Sequence, residues 1–420
     1  MKIGFISLGC SKNLVDTEMM IGYYTKQKYE IVVDPKDAEI IIINTCGFIE
    51  SAKKEAINTI LEMAEYKKRN CKKLIVTGCL VERYLDELKK ELPEVDLFIP
   101  IRDYDKIFEV LNYHNRVIAT GNYFAYLRIA DGCSNNCTYC AIPKIRGPLK
   151  SRDFDDIVKE AKELYNNGYK ELILIAQDTG RYGLDLYEKP RLAELLKELC
   201  KIDFMWIRFL YTYPEMITDE LIDVVKNNEK ICNYFDIPIQ HISDKVLKRM
   251  GRKGNKESIK NVIKKIKDEI SNSVLRTSLI VGFPGETKEQ FEELKEFVKE
   301  TKFNRLGVFK YSMEDETAAI KLDGHLDEEI KEKRYNEIMK IQQKVSKDLN
   351  KNFIGKTFEC IIDNITEDTK YYVARSYMDV PDIDGLIFIE NDNKHKIGEY
   401  INAKVIKTKN YDLIATIVNA

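Results

Sequence analysis

The sequence predicts an α/β protein of three successive units: an amino-terminal parallel-sheet α/β domain, a central partial (β/α)6 barrel and a small five-stranded β-barrel of the OB type. Three observations carry this reading. The 420 residues exceed one ordinary domain. Strand-like apolar runs alternate with helical periodicity up to about residue 350. Beyond that point helical patterning stops, and short β-rich runs take over.

The first unit, 1–115, has apolar runs at Lys2–Leu8, Glu39–Asn44 and Lys73–Thr77, with Asp96–Ile99 as a fourth. Helical patterns lie between them, as in Leu14–Tyr24 and Ala52–Arg69. Buried strands alternating with helices form parallel sheets covered on both faces. The second unit, 120–350, has six strand candidates: Tyr126–Ala130, Glu171–Ala176, Trp206–Tyr211, Tyr234–Ile237, Leu275–Val281 and Arg305–Tyr311. Five helical segments separate them, including Asp153–Asn166, Arg191–Cys200 and Lys288–Lys302, so the repeat stops short of a full eight-fold barrel. A Lys/Glu-rich helix at Asp327–Asn350 ends this unit. The third, 352–420, has five short strands: Thr357–Ile362, Tyr371–Tyr377, Gly385–Ile389, Tyr400–Thr408 and Leu413–Val418.

Net charge is −2, from 67 basic and 69 acidic residues, which gives no global surplus for non-specific nucleic-acid binding. No apolar run is long enough to span a bilayer, so no membrane is expected. Leu8-Gly9-Cys10 resembles the end of a lipoprotein signal, but the apolar run before it is short, and a strand entering a Cys-bearing loop fits better. The expected compartment is the cytoplasm. There, clustered cysteines point to metal or catalysis rather than disulfides. Of ten cysteines and four histidines, no two histidines are neighbours in sequence, so thiolate must do most of any metal binding.

Cys133-Ser-Asn-Asn-Cys137-Thr-Tyr-Cys140 is the sharpest feature. Three thiolates on one loop can hold three irons of a [4Fe–4S] cluster and leave the fourth open. The competing reading is zinc, which needs four closed ligands, and no fourth Cys lies within thirty residues on either side; the one His in that range, His114, stands nineteen residues before Cys133, outside the loop. Cys10, Cys46 and Cys79 have no local spacing motif, yet each follows an apolar strand: FISLGC, IIINTC and LIVTGC. Carboxyl ends of parallel strands share one edge, where sites collect. The alternative is three unrelated buried cysteines.

The central motif, with Tyr139 before its last Cys, resembles the signature of the radical S-adenosylmethionine superfamily. The resemblance implies a [4Fe–4S] cluster on Cys133, Cys137 and Cys140 whose open iron chelates S-adenosylmethionine and cleaves it to a 5′-deoxyadenosyl radical. It implies that Tyr139 packs near the adenine, and that Gly282-Phe-Pro-Gly-Glu286 lines the adenosine side, with Gly282 and Glu286 as cofactor contacts. The plain alternative for that loop is a Gly/Pro turn between strand and helix. SLGCSKNLVDTE, NTCGFIESAKKEAI and VTGCLVERY resemble the amino-terminal domain of methylthiotransferases. That implies a second [4Fe–4S] cluster on Cys10, Cys46 and Cys79, where the sulfur to be transferred attaches, and a second S-adenosylmethionine as methyl donor. The third unit resembles a TRAM domain. Cys71, Cys200, Cys232 and Cys360 match no motif and read as structural.

The methylthiotransferase resemblance covers essentially the whole chain. One branch of the family modifies isopentenyladenosine in tRNA. The other adds a methylthio group to the β-carbon of an aspartate in small-subunit ribosomal protein twelve. SLGCSKNLVDTE is similar to the second branch's SLGCPKNLVDSE, whereas the tRNA branch has Gln-Met-Asn after that Cys. AQDTGRYG, FLYTYP, DIPIQHISDKVLKRM and ARSYMDVPDIDG also resemble the ribosomal-protein branch. Ser11 departs from the usual Pro and Glu316 from the usual Gly, which puts local loop shape in question. From residue 352 to 420 there are eight Lys/Arg and eleven Asp/Glu, a net of −3. A tRNA-reading module should be basic, and an acidic one suits a basic protein partner. Tyr371, Tyr372 and Tyr377 sit at strand spacing, which favours packing over base stacking. The expected partners are ribosomal protein twelve and an electron donor such as flavodoxin or ferredoxin. Nucleic acid enters only in the tRNA alternative. A non-catalytic iron–sulfur or nucleic-acid-binding protein is the remaining alternative.

Overall fold

The computed structural model describes residues 1–107 and 112–418. Strands β1 (Lys2–Ser7), β2 (Glu30–Val32), β3 (Ile40–Thr45), β4 (Lys73–Gly78) and β5 (Leu97–Ile99) form one parallel sheet in the order β2-β1-β3-β4-β5. The four expected runs are strands. β2 is additional, and its three residues are too few to show a period. Successive strand residues face opposite sides, so the Ile run of β3 feeds two cores. Ile42 joins Ile3, Ile75 and Met20 of helix α1 (Ser11–Lys26). Ile41 and Ile43 join residues of α2 (Glu50–Ala64) and α3 (Cys79–Glu91) on the other face. Each fully buried Ile here contributes about 2 kcal/mol. A short α4 (Tyr104–Ile107) follows β5.

β6 (Phe124–Arg128) starts the partial barrel and runs into a two-residue strand, β7 (Ala130–Asp131), paired with β8 (Lys150–Ser151). Between β7 and β8 lie the central cysteine loop and α5 (Ile142–Arg146). β9 (Glu171–Ile175), β10 (Trp206–Phe209), β11 (Tyr234–Asp236), β12 (Val274–Val281) and β13 (Arg305–Lys310) complete six parallel strands. The two three-stranded halves meet through an isolated bridge between Ile207 and Ile231. The five expected helices are present, and local chemistry starts four of them. Thr218 caps Asp219–Lys226 by accepting from the Leu221 N–H (3.2 Å). Asp153 caps Phe154–Asn166, and Asn255 and Thr287 form capping boxes with Ser258 and Gln290. Helix Glu328–Lys351 follows β13.

β14 (Thr357–Ile365), β15 (Tyr371–Ser376), β16 (Ile387–Glu390), β17 (Tyr400–Thr408) and β18 (Leu413–Ile417) close a barrel in the order β14-β15-β16-β18-β17. Its position follows from buried charge. Glu171, the first residue of β9, accepts from Arg208 (3.1 Å) and pairs with Arg375 of β15 (2.6 Å). Tyr234, the first residue of β11, donates to Asp384 (2.6 Å), and Arg305, the first of β13, pairs with Asp379. All three strand positions are amino-terminal, so the small barrel closes the amino-terminal end of the partial barrel. The cysteine loop opens at the carboxyl end.

The two departures from the family strings have local explanations. Ser11 is the first residue of α1, where the N–H has no helical acceptor and Pro is equally at home. Glu316 holds φ at +62°, the left-handed region where Gly is free and another residue is strained by about 1 kcal/mol. The loop keeps the glycine-like shape with Glu in place.

Candidate iron–sulfur sites and the family of the chain

The sheet order reverses direction between β1 and β3, and in such sheets ligands sit in the crevice at the carboxyl ends of those strands. Cys10 follows β1, Cys46 follows β3 and Cys79 follows β4, three adjacent strands whose ends are level. The loops are in close contact. Gly9, at φ +90°, lies where any Cβ would stand 2.6 Å from the Cβ of Cys46. Gly47 would meet Leu80 Cα at 2.6 Å. Asn13 ties the edge together: its Nδ2 donates to Leu8 and Thr45 carbonyls (both 3.0 Å), and its Oδ1 accepts from the Cys79 thiol (3.4 Å). The structure therefore brings these three cysteines to one edge.

Their protonation differs with their surroundings. Crowding pushes the Cys10 thiol up, but the charges of Lys12 and Arg146 and two backbone N–H groups outweigh it, and the net shift is downward. Burial raises Cys46, and it raises Cys79 to about 12 against the pull of Arg146.

Cys133, Cys137 and Cys140 lie together on the loop after β7. Thr138 anchors it, with its N–H donating to Met250 O (2.9 Å), its Oγ1 to Arg249 O (2.8 Å) and its carbonyl accepting from Ala319 N–H (2.8 Å). Sulfur receives donors as well: Asn135 N–H on Cys133 (3.4 Å), Ile142 N–H on Cys140 (3.5 Å) and Arg252 Nη1 on Cys137 (3.9 Å). Burial raises the Cys140 thiol to about 12. Around the loop, Tyr139 Oη, Gln177 Oε1 and Asp178 Oδ1 are buried without a hydrogen-bond partner. Burial lifts the Asp178 carboxyl to about 6.

Among the described residues, no three Asp, Glu, His or Cys side chains stand close enough to hold one metal ion. A cubane takes one thiolate per iron, so its ligands are spread wider than those of a single ion. All-sulfur donor sets, N–H groups aimed at sulfur and nearby guanidinium groups fit such clusters. The orphaned polar atoms beside the central loop fit a polar ligand at that site.

The expected cofactor contacts divide. Tyr139 packs edge-on to Phe283 at 6.4 Å, so the GFPGE loop does meet the cysteine loop. Gly282 adopts φ +71°, and its N–H donates to Glu286 Oε2. Glu286 is fully buried and held by Arg334 (2.9 Å) and His241 (3.3 Å). Those partners make Glu286 a pin for the loop. The other four cysteines lie in hydrophobic cores or pack against them.

Arg146 links the two trios. Its Nη2 donates to Asn13 Oδ1 (2.7 Å), pairs with Asp16 (2.7 Å) and reaches Cys79 Sγ (3.8 Å), while its Nη1 pairs with Asp131 (3.0 Å), two residues before Cys133. The guanidinium is 2% exposed. Arg146→Met leaves Asp16 and Asp131 facing each other with one cation fewer. We expect a loss of about 3 kcal/mol in denaturant unfolding, with iron retained in both trios. Sequence reading missed Arg146, and its only sequence signal was a basic residue six positions past the motif.

Three family models match the chain: the radical SAM superfamily over residues 127–298, the uncharacterized protein family UPF0004 over 2–100, and the TRAM domain over 354–418. Among curated relatives, "ribosomal protein uS12 methylthiotransferase RimO" of Alkaliphilus oremlandii is 55% identical, covering 98% of both chains. Proteins of the same name from Clostridium botulinum and Clostridium tetani are 52% and 50% identical, covering 100% and 99% of this chain and 98% of their own. The chain belongs to the RimO family of radical S-adenosylmethionine methylthiotransferases. That family works with S-adenosylmethionine and [4Fe–4S] clusters. Two solved structures share the fold. The radical S-adenosylmethionine methyltransferase TsrM of Kitasatospora setae has a TM-score of 0.56 at 10% identity, covering 74% of each chain. The cobalamin-dependent radical enzyme OxsB has a TM-score of 0.51 at 12% identity, covering 81% of this chain and 56% of its own. In this RimO-family chain, UPF0004 covers the edge of Cys10, Cys46 and Cys79, and the radical SAM match covers Cys133, Cys137 and Cys140.

Proposed function

We propose that this chain adds a methylthio group to the β-carbon of an aspartate in ribosomal protein uS12, the small-subunit protein twelve. The single observation that carries the reading is identity of 50–55% over the full length with relatives bearing that name. When bound, the two clusters and S-adenosylmethionine supply one-electron cleavage of a sulfonium, hydrogen abstraction from unactivated carbon, and sulfur and methyl donation. Cys133, Cys137 and Cys140 hold one cluster, and Cys10, Cys46 and Cys79 the other. Tyr139 and the Gly282–Glu286 loop flank S-adenosylmethionine. Arg146 keeps the two trios at a constant separation, and Arg252 and the backbone donors neutralise charge on the sulfurs. The units 1–115, 120–350 and 352–420 divide the labour as sulfur site, radical site and substrate-facing or structural barrel.

The reaction needs a reductant, for which a flavodoxin or ferredoxin is suited, and uS12 is accepted free or in the ribosome. A cytoplasmic location suits that substrate; no helix among the described residues is long and apolar enough to cross a membrane. The tRNA alternative is not favoured. Reconstituted protein, S-adenosylmethionine and a strong reductant should be given uS12 and, separately, isopentenylated tRNA under anaerobic conditions. Mass spectrometry is expected to find one methylthio group on an aspartate peptide of uS12. A gain on the tRNA alone overturns the reading.

A further inference from the structure

The chemistry just proposed poses a recognition problem. An aspartate β-carbon is bonded directly to its carboxylate, so whatever grips that carboxylate places the reacting carbon one bond away. The grip must be a cation, and it must lie between the two cysteine trios.

Lys12 meets both conditions. It stands in the first turn of α1, two residues past Cys10, and is only 9% exposed. Buried ammonium groups are normally paired with a carboxylate. Among the described residues none lies within 4.0 Å of this one. Its close partner is the ring of Tyr211, with Nζ 3.8 Å from the centroid. The carboxylate on the neighbouring strand, Asp236, is already engaged by Arg276 (2.8 Å) and the Tyr211 N–H (3.1 Å). Arg146 is likewise bound to Asp16 and Asp131. Among the described residues Arg252 also lacks a carboxylate partner, but it is taken up by Pro238 O (2.7 Å) and Cys137 Sγ (3.9 Å), which leaves Lys12 as the unengaged cation.

The platform beneath it is unusual. Tyr211 follows β10 at the carboxyl end of the partial barrel and holds φ at +60°. A bulky residue in the left-handed region is strained, and such strain persists where surrounding structure enforces it, typically at functional sites. The strained backbone sets the ring under the ammonium. The first turn of α1 carries no acidic residue that would compete for the ammonium. Cys10 belongs to the sheet edge and Tyr211 to the barrel mouth, so Lys12 spans the junction of the two.

We propose that Lys12, backed by the Tyr211 ring, binds the carboxylate of the substrate aspartate and so selects Asp over Asn. This rests on the uS12 reading. Lys12 is a positioning and specificity residue. The competing role is a counter-charge for a cluster on Cys10.

The test compares wild type, Lys12→Met and Lys12→Arg as reconstituted holoenzymes, with full-length uS12 carrying either Asp or Asn at the modified position. Iron content and the electron paramagnetic resonance and midpoint potential of the second cluster are measured alongside. In Lys12→Met, KM for the Asp protein is expected to rise about tenfold or more, the loss of one charge-assisted hydrogen bond. The wild-type preference for binding Asp over Asn protein should collapse, both clusters should keep their signals, and Lys12→Arg should restore most of the preference. An unchanged Asp/Asn preference in Lys12→Met overturns the proposal, as does a shifted potential with unchanged KM, which assigns Lys12 to the cluster. Wild-type enzyme that modifies tRNA and leaves the Asp protein untouched overturns the uS12 reading itself, and this site with it.

Discussion

Cys140→Ala is expected to abolish S-adenosylmethionine cleavage and methylthio transfer together, each by at least about a thousandfold, because members of a unit that acts as a whole are not replaceable one at a time. The structure makes the variant interpretable. Cys140 is half-buried on a loop held by other atoms, through Thr138 and the Cys133 N–H on Gly147 O (3.0 Å). Alanine removes the sulfur and leaves those anchors in place. Circular dichroism should match wild type, iron and sulfide should fall to half, and 5′-deoxyadenosine should vanish from the reductant-driven reaction. Cys360→Ala, in the core of the small barrel, is the control: it should cost stability and leave iron intact. Full 5′-deoxyadenosine production by Cys140→Ala would remove the central trio from the chemistry.

Cys79→Ala is expected to separate the two halves of the reaction. Cys79 is the first residue of α3, and its thiol touches Asn13 and Arg146 rather than any group of the central loop. Cleavage of S-adenosylmethionine should continue within about threefold of wild type, while the methylthio product falls at least about a thousandfold. Iron should again halve. The combination matters more than either result. Loss of both reactions would mean that Arg146 transmits damage from one trio to the other, and Arg146→Met would then show the same loss. Retention of the product would place the sulfur source elsewhere.

Much of the architecture was legible because its causes are local. The Ile run of β3, the capping pairs Asn255/Ser258 and Thr287/Gln290, and the alternating strands of the small barrel each specify their own element within a few residues. The miss at β2 has the same origin, since three residues cannot display a period. The central trio was legible too, since its ligands lie within eight consecutive residues of one loop. The amino-terminal trio was half legible. Its strand-end contexts suggested a shared edge, and the order β2-β1-β3-β4-β5, which places those strands side by side, was required to realise it.

By itself the sequence determined the elements, the three units and the six cysteines, together with the family strings that surround them. Tertiary structure decided which charges meet. Arg146 finds Asp16 across 130 residues of chain, and Arg375 finds Glu171 across about two hundred. It decided that Glu286 pins its own loop, that the small barrel caps the amino-terminal end of the strands, and that Lys12 lies over Tyr211 with no carboxylate among the described residues within 4.0 Å. The physical reason is the range of the forces. Hydrogen-bonded periodicity and capping act between neighbours in sequence, so sequence encodes them directly. Pairing of buried charges depends on distance in space and on the exclusion of water, and neither exists until the chain is folded.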